Sequence, residues 1–198
     1  MLYSFLKIVL GIVFKVFLRL RVIGVENIPQ DGAIVVASNH LSLLDPPVIG
    51  VAATRKICFM AKQELFVPVL GTIYKILGAF PVKRGGADRA AIKHGIDILE
   101  EGGALAIFPE GTRSKDGSLG PLESGALMMA GKTRAIIVPT VVNGTDISRC
   151  GRLWPKVTVA FGKPIYFDNQ ERVTKDVLQA KTEVLAEAIK ALQKEVNR

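Results

Sequence analysis

Short apolar runs alternate along this chain with segments whose apolar residues recur at helical spacing, and the runs end at glycines, prolines or polar clusters. The runs fall at 22–25, 33–37, 57–61, 79–82, 104–108, 135–142 and 157–161. Apolar runs this short, bounded by turn residues, read as buried strands. Between them, residues 88–101 form the clearest helix: Ala91, Ile92, Gly95, Ile96, Ile98 and Leu99 share a face, and Gly102-Gly103 stops it. Residues 174–196 read as a second long helix. Shorter helical stretches fall at 48–53, at 125–130 and at 64–77, the last interrupted by Pro68 and Gly71. Strands alternating with helices predict one α/β domain, a largely parallel or mixed sheet flanked by helices. A chain of 198 residues is long enough for one such core. The single division expected is between residues 1–21 and 22–198.

Residues 1–21 are dense in Leu, Ile, Val and Phe, yet the longest uncharged run, Ile8 to Phe14, is far too short to span a bilayer. On a helical wheel Ser4, Lys7, Gly11, Lys15 and Arg19 gather in one arc, and the rest of the surface is apolar. Such a helix predicts an anchor lying in a membrane interface with its cations at the headgroups. Lys15 interrupts any signal-peptide core, and no small-x-small cleavage site follows. The expected location is therefore peripheral or monotopic, on the cytoplasmic face of a membrane.

Charge and composition agree. The formal net charge is +8 and hydrophobic residues make up 49% of the chain, with mean hydropathy +0.33. Partners should be anionic, and a membrane surface carrying anionic phospholipid is the leading one. Nucleic acid is excluded as a partner: aromatics are 7% and no helix-turn-helix, zinc-finger or RNA-recognition signature occurs. Cys58 and Cys150 stand far apart in no ligand spacing, so neither a disulfide framework nor a metal site is expected.

The run 33–37 opens into Ser38-Asn39-His40-Leu41-Ser42-Leu43-Leu44-Asp45-Pro46-Pro47. Residues five apart on an ideal helix diverge, so His40 and Asp45 can touch only across a turn or a late helix start. The double proline favours a turn, because proline disfavours helical geometry in the residue before it. A His–Asp pair suits removal of a proton from an alcohol. Imidazole, with an ordinary pKa near 6.5, accepts the proton, and the carboxylate fixes the tautomer and stabilises the imidazolium. The plainer alternative is a loop histidine beside a turn-capping aspartate. His94, among the polar positions of its helix, reads as a solvated surface residue.

Further strand-to-loop junctions carry chemistry. Residues 78–86 put Lys83 and Arg84 on a glycine-bearing loop, suited to phosphate oxygens or else a solvated basic turn. Residues 108–114, Phe-Pro-Glu-Gly-Thr-Arg-Ser, place Glu110, Gly111, Thr112 and Arg113 directly after a buried strand. Glu110 could accept from a glycerol hydroxyl while Arg113 orders the loop or binds phosphate, or the stretch could be a helix-capping or salt-bridged loop. Within the run 135–142, Ile137-Val138-Pro139-Thr140 brings an apolar strand to a proline, with Val138 and Pro139 an acyl-chain wall or plain core.

In this order the motifs resemble the glycerolipid acyltransferases, and within them the 1-acylglycerol-3-phosphate acyltransferases. Asn39, His40 and Asp45 match that family's Asn-His-x-x-x-x-Asp, and residues 108–114 match its Phe-Pro-Glu-Gly-Thr-Arg-Ser in full. Gly78, Phe80 and Arg84 match its second motif loosely, with the phenylalanine one position early, so Lys83 and Arg84 compete for a phosphate and Arg84 is preferred. Val138-Pro139 matches the fourth. Where the family often carries Phe-Lys-x-Gly, this chain has Leu122-Glu123-Ser124-Gly125. The resemblance covers about residues 22–164. It implies transfer of a fatty acyl group from acyl-CoA or acyl carrier protein to the free hydroxyl of lysophosphatidic acid. His40 would be the base and Asp45 its orienter; Lys83 or Arg84, with Glu110, Gly111, Thr112 and Arg113, would hold the glycerol phosphate. Val138 and Pro139 would line the acyl chain. It implies no metal and no prosthetic group, the thioester being activated already. Acylation of glycerol 3-phosphate or another lysolipid is the alternative, and lipid binding without catalysis a weaker one. A serine hydrolase is disfavoured, since no Gly-x-Ser-x-Gly occurs.

Overall fold

The computed structural model of the protein describes residues 2–83, 88–114, 116–146, 155–168 and 172–197. Its helices are α1 (Leu2–Phe17), α2 (Asp45–Ala52), α3 (Leu70–Ile76), α4 (Arg89–Glu100), α5 (Met128–Thr133) and α6 (Lys175–Val196). Its strands are β1 (Arg21–Ile23), β2 (Ile34–Ser38), β3 (Ile57–Lys62), β4 (Ala79–Val82), β5 (Ala104–Ile107), β6 (Ile136–Asn143) and β7 (Thr158–Phe161). They form one seven-stranded sheet in the order β1-β7-β6-β2-β5-β3-β4. All neighbouring pairs are parallel except β6 with β7. The α/β architecture expected from the alternation is therefore present, with a mixed sheet.

Every residue of β2 and β5 is buried, as their uncharged sequences require. One face of the sheet packs Ile34, Val36, Val138 and Val159 against α1 and α2. The other packs Val35, Ala37, Leu105 and Ile137 against α4, α5 and α6. Pro139 sits inside β6, where a missing N–H would normally cost a ladder bond. It falls in a gap on the β7 side, between the Ile137–Ile165 bridge and the ladder that starts at Thr140–Phe161. Its carbonyl accepts from Gly162 N at 2.7 Å.

Three expectations are corrected here. Of the two routes expected for the His40–Asp45 contact the late helix start is present, not the turn that the double proline favoured: Asp45 begins α2, and the prolines occupy its first turn. Proline is favoured there because the first helical N–H groups have no partner within the helix to lose. The 125–130 helix is split: a tight 3-10 turn over Ser124–Leu127 precedes α5. The third concerns α1. Its basic arc does not all face outward, because Lys7 Nζ donates to Ala53 O at 2.6 Å at the end of α2. Partial burial pulls the Lys7 ammonium below its ordinary pKa. The two helices pass close at Gly11, where a Cβ would stand in ordinary contact, 3.6 Å from Val51 Cγ1. What α1 turns outward is apolar: Phe5, Ile8 and Ile12 are each at least 60% exposed. Phe14 and Leu18 belong to the main core, and Leu18 O accepts from Val157 N. Among the described residues no helix is long and apolar enough to cross a membrane.

Candidate active site

The functional motifs meet at one edge of the sheet. His40 follows β2, Glu110 to Arg113 follow β5, and Lys83 follows β4, all at C-terminal ends of parallel strands. In open α/β sheets ligands bind at that edge. Strand order decides which residues come together. β5 and β6 flank β2, so their loops touch the His40 loop, whereas β4 lies three strands away. At ~4.8 Å per strand, Lys83 stands roughly 14 Å to one side.

His40 Nδ1 lies 2.7 Å from Asp45 Oδ2. The carboxylate is an acceptor, so Nδ1 carries the hydrogen and a neutral ring keeps Nε2 as its accepting nitrogen. Nε2 has no protein partner among the described residues and is not sealed from solvent. Asp45 is completely buried. Its Oδ2 also accepts from Leu41 N at 2.6 Å and Ser42 N at 2.8 Å, and its Oδ1 accepts from Thr145 Oγ1 at 2.5 Å. Position at the start of α2 adds the favourable end of the helix dipole. Four donors compensate the desolvation of this carboxylate.

Residues 108–114 hold His40 from the other side. The Phe108 ring stacks on the imidazole, with centroids 4.1 Å apart and planes at 22°. Glu110 Oε1 accepts from His40 N at 3.0 Å, and His40 O accepts from Ser114 N at 2.8 Å. The second Glu110 oxygen accepts from Gly120 N at 2.9 Å. Glu110 thus ties three loop segments together and keeps further lone pairs for other donors. The Phe108–Gly111 turn needs φ +69° at Gly111, a conformation that disfavours a side chain. Beyond it Gly111, Thr112 and Arg113 are exposed. Among the described residues Arg113 makes no ion pair. Asp116 gathers the next loop by accepting from Ser118 Oγ, Ser118 N and Ser114 Oγ. These bonds, the Ser118 hydroxyl first, push its carboxyl down to about 2. Leu122 packs on the core, and Glu123 N donates to Pro109 O at 2.9 Å.

The other predicted residues lie apart. Lys83 is exposed beside a cleft of about 460 Å³ that Lys75 and Phe66 also line. Its N–H donates to Asp88 Oδ2 at 2.9 Å. That bond, with those from Ala91 N and Ala90 N at the start of α4, lowers the Asp88 carboxyl. Arg84, the preferred phosphate ligand, lies outside the described residues, as does Cys150. Val138 is fully buried in the sheet core, and Pro139 is buried beside it. His94 is exposed, edge-on to Phe80 at 4.6 Å. Burial pushes the Cys58 thiol up, away from a reactive thiolate. Sequence reasoning missed Thr145 and the clamp made by Asn39, whose side chain pairs with both Val142 N (2.8 Å) and Val142 O (3.0 Å). Asn143-Gly144-Thr145 is legible as a turn closing a buried strand, but its partners lie a hundred residues upstream.

A buried His–Asp pair on this edge, braced by a Phe-Pro-Glu-Gly-Thr-Arg-Ser loop, defines a class. The chain belongs to the acyltransferase family, whose model, described as Acyltransferase, matches residues 19–143. Within it, a 1-acyl-sn-glycerol-3-phosphate acyltransferase of Bacillus subtilis is 31% identical over 100% of both chains. A chloroplastic 1-acyl-sn-glycerol-3-phosphate acyltransferase of Brassica napus is 34% identical over 76% of this chain and 46% of its own length. The crystal structure of the 1-acyl-sn-glycerophosphate (LPA) acyltransferase of Thermotoga maritima superposes with a TM-score of 0.74 at 28% identity, covering 92% of this chain and 76% of that one.

Proposed function

We propose that the chain transfers a fatty acyl group from an acyl thioester to the free hydroxyl of 1-acylglycerol 3-phosphate, giving phosphatidic acid for phospholipid synthesis. The observation that carries this is the His40–Asp45 contact, with Nδ1 committed to the carboxylate and Nε2 open. The acceptor hydroxyl gives its proton to Nε2 as its oxygen attacks the thioester carbonyl. The tetrahedral intermediate collapses, the carbon–sulfur bond breaks, and the imidazolium returns the proton to the leaving thiolate. Asp45 stabilises the transient imidazolium. No acyl-enzyme forms, and the activated thioester needs no prosthetic group. Arg113, exposed and without an ion pair among the described residues, suits a phosphate monoester of about −1.5 to −2 charge. Lys83, from the far side of the edge, or Arg84 is the second candidate cation for the same group.

Both substrate and product are lipids, and α1 supports action at a membrane surface, which the proposal places on the cytoplasmic side. Leu2, Phe5, Ile8, Ile12, Val16 and Phe17 are each more than half exposed on it, a concentration of apolar surface that marks an interaction site. Exposed Lys15 and Arg19 flank that surface and would each add about 1 kcal/mol near anionic headgroups. Lys7, engaged with Ala53 O, is turned towards α2 instead.

Crossing acceptors with donors tests the reading. Purified protein is given 1-acylglycerol 3-phosphate, glycerol 3-phosphate or lysophosphatidylcholine, each with acyl-CoA or acyl carrier protein. Fastest turnover of 1-acylglycerol 3-phosphate with either donor is expected; a preference for another acceptor would overturn the assignment.

A further inference from the structure

We propose that Thr145 is a positioning residue for the reaction, its hydroxyl locking the Asp45 carboxylate in the orientation that keeps the hydrogen on His40 Nδ1. The inference rests on the reading of His40 as proton acceptor, and concerns a residue that no part of that reading uses.

The two oxygens of Asp45 are loaded unequally. Oδ2 receives Nδ1 of His40, Leu41 N and Ser42 N. Oδ1 receives only the Thr145 hydroxyl among the described residues, at 2.5 Å. The aspartate and the threonine are 0% and 1% exposed, so water does not substitute. Rotation about the aspartate Cβ–Cγ bond is soft and roughly two-fold. A donor on Oδ1 closes that freedom and keeps Oδ2 facing the imidazole.

The backbone is built to deliver this hydroxyl. Asn39 pins Val142 through both its N–H and its carbonyl, fixing β6 against the His40 loop. Gly144 then turns the chain with φ +81°, and a Cβ there would stand 2.2 Å from Lys156 O. That turn brings Thr145 back under the start of α2. Buried Thr140 and Thr182 and half-buried Thr133 bond locally to backbone carbonyls, those of Val138, Leu178 and Met129. Thr145 alone among these reaches a charged side chain a hundred residues away.

Removing the hydroxyl leaves Oδ1 buried and unpaired. The carboxylate then swings towards another donor, and Nδ1–H loses its acceptor for part of the time. The ring gains access to the tautomer with Nε2 protonated, which cannot accept the alcohol proton.

Thr145→Val replaces the hydroxyl by a methyl of similar size. We expect kcat to fall about tenfold or more, as for outer partners of active-site ligands in metal sites, with acceptor KM within about twofold. Thr145→Ser should restore kcat. A second readout needs no substrate. The chain has two histidines, His40 and His94, so ¹⁵N spectra of histidine-labelled full chain resolve both rings. Thr145→Val should move the His40 pair from a single Nδ1–H tautomer towards averaged values and leave His94 in place. Should Thr145→Val fail to fold, Thr145→Ser against Thr145→Ala makes the same comparison, since both lose the methyl and only serine keeps the hydroxyl. Unchanged His40 signals, or equal kcat with and without the hydroxyl, overturn the proposal. If the spectra shift as expected but lysophosphatidic acid is not acylated, the positioning role stands and the substrate assignment fails.

Discussion

The His40 loop and the tip of the neighbouring loop, Gly111 to Arg113, lie on adjacent strand ends but are built in opposite ways. Around His40 the protein meets its own demands: the Asp45 carboxylate takes four donors, and both Glu110 oxygens accept backbone N–H groups. At the tip Thr112 and Arg113 are exposed, and Arg113 has no ion pair among the described residues. On the proposed function, the first region is preorganised for a proton transfer and leaves one ring nitrogen for substrate, and the second offers charge to the acceptor's phosphate. Substitutions in the first should therefore act on kcat, and substitutions in the second on KM.

Asp45→Asn tests the preorganised side most severely. An amide can present its NH₂ to Nδ1 and select the wrong tautomer, so kcat should fall ~10³–10⁴-fold while a circular dichroism spectrum stays native. Retention of a tenth of the parental rate would break the comparison on that side. Glu110→Ala should cost about 1–3 kcal/mol of stability by urea unfolding and lower kcat with little change in acceptor KM, because two loop clamps are lost. A rise in KM without loss of stability would move Glu110 to the binding side. Arg113→Ala should raise acceptor KM about tenfold at nearly parental kcat, equivalent to one charge-assisted contact of about 1.4 kcal/mol. An unchanged KM would make the arginine structural.

The α1 surface extends the outward-facing class. Deleting residues 1–20 is a poor test, because Phe14 and Leu18 would leave the core. Ile8→Asp with Ile12→Asp leaves that core intact, and should release the protein from anionic liposomes in sedimentation while preserving activity on a short-chain, water-soluble acceptor. Unchanged sedimentation would contradict membrane contact through α1. The smallest effect concerns pH. Asp116, held at about 2 in the folded chain, orders its loop fully above the ordinary carboxyl value near 3.9 and loses that contribution as pH falls through its folded value. Limited proteolysis within 114–118 should therefore be the same at pH 7 and pH 5, and loosening in that interval would contradict the assignment.

The alternation of apolar runs made the parallel core legible, because strands buried on both faces carry almost no polar residues. The His40–Asp45 pairing was legible as a possibility, and the structure adds how a five-residue separation is bridged: the loop enters α2 at Asp45 itself. The direction of α1 was not legible. A helical wheel groups Lys7 with Lys15 and Arg19 but cannot show that a free carbonyl at Ala53 waits for one of them. Thr145 was hidden for a related reason. A single hydroxyl after a strand has many uses, and its meaning comes from the adjacency of β6 and β2, which local patterns do not encode.

Proton transfer by His40 is the central step of the proposed reaction, and the direct measurement is the turnover of His40→Ala with 1-acylglycerol 3-phosphate and an acyl thioester, followed as phosphatidic acid by mass spectrometry. The imidazole is buried, but without it the Asp45 carboxylate keeps three donors, Leu41 N, Ser42 N and the Thr145 hydroxyl, so the variant should remain folded, with kcat lower by ~10²–10⁴-fold. A folded His40→Ala protein working within a few-fold of the parent would contradict the account.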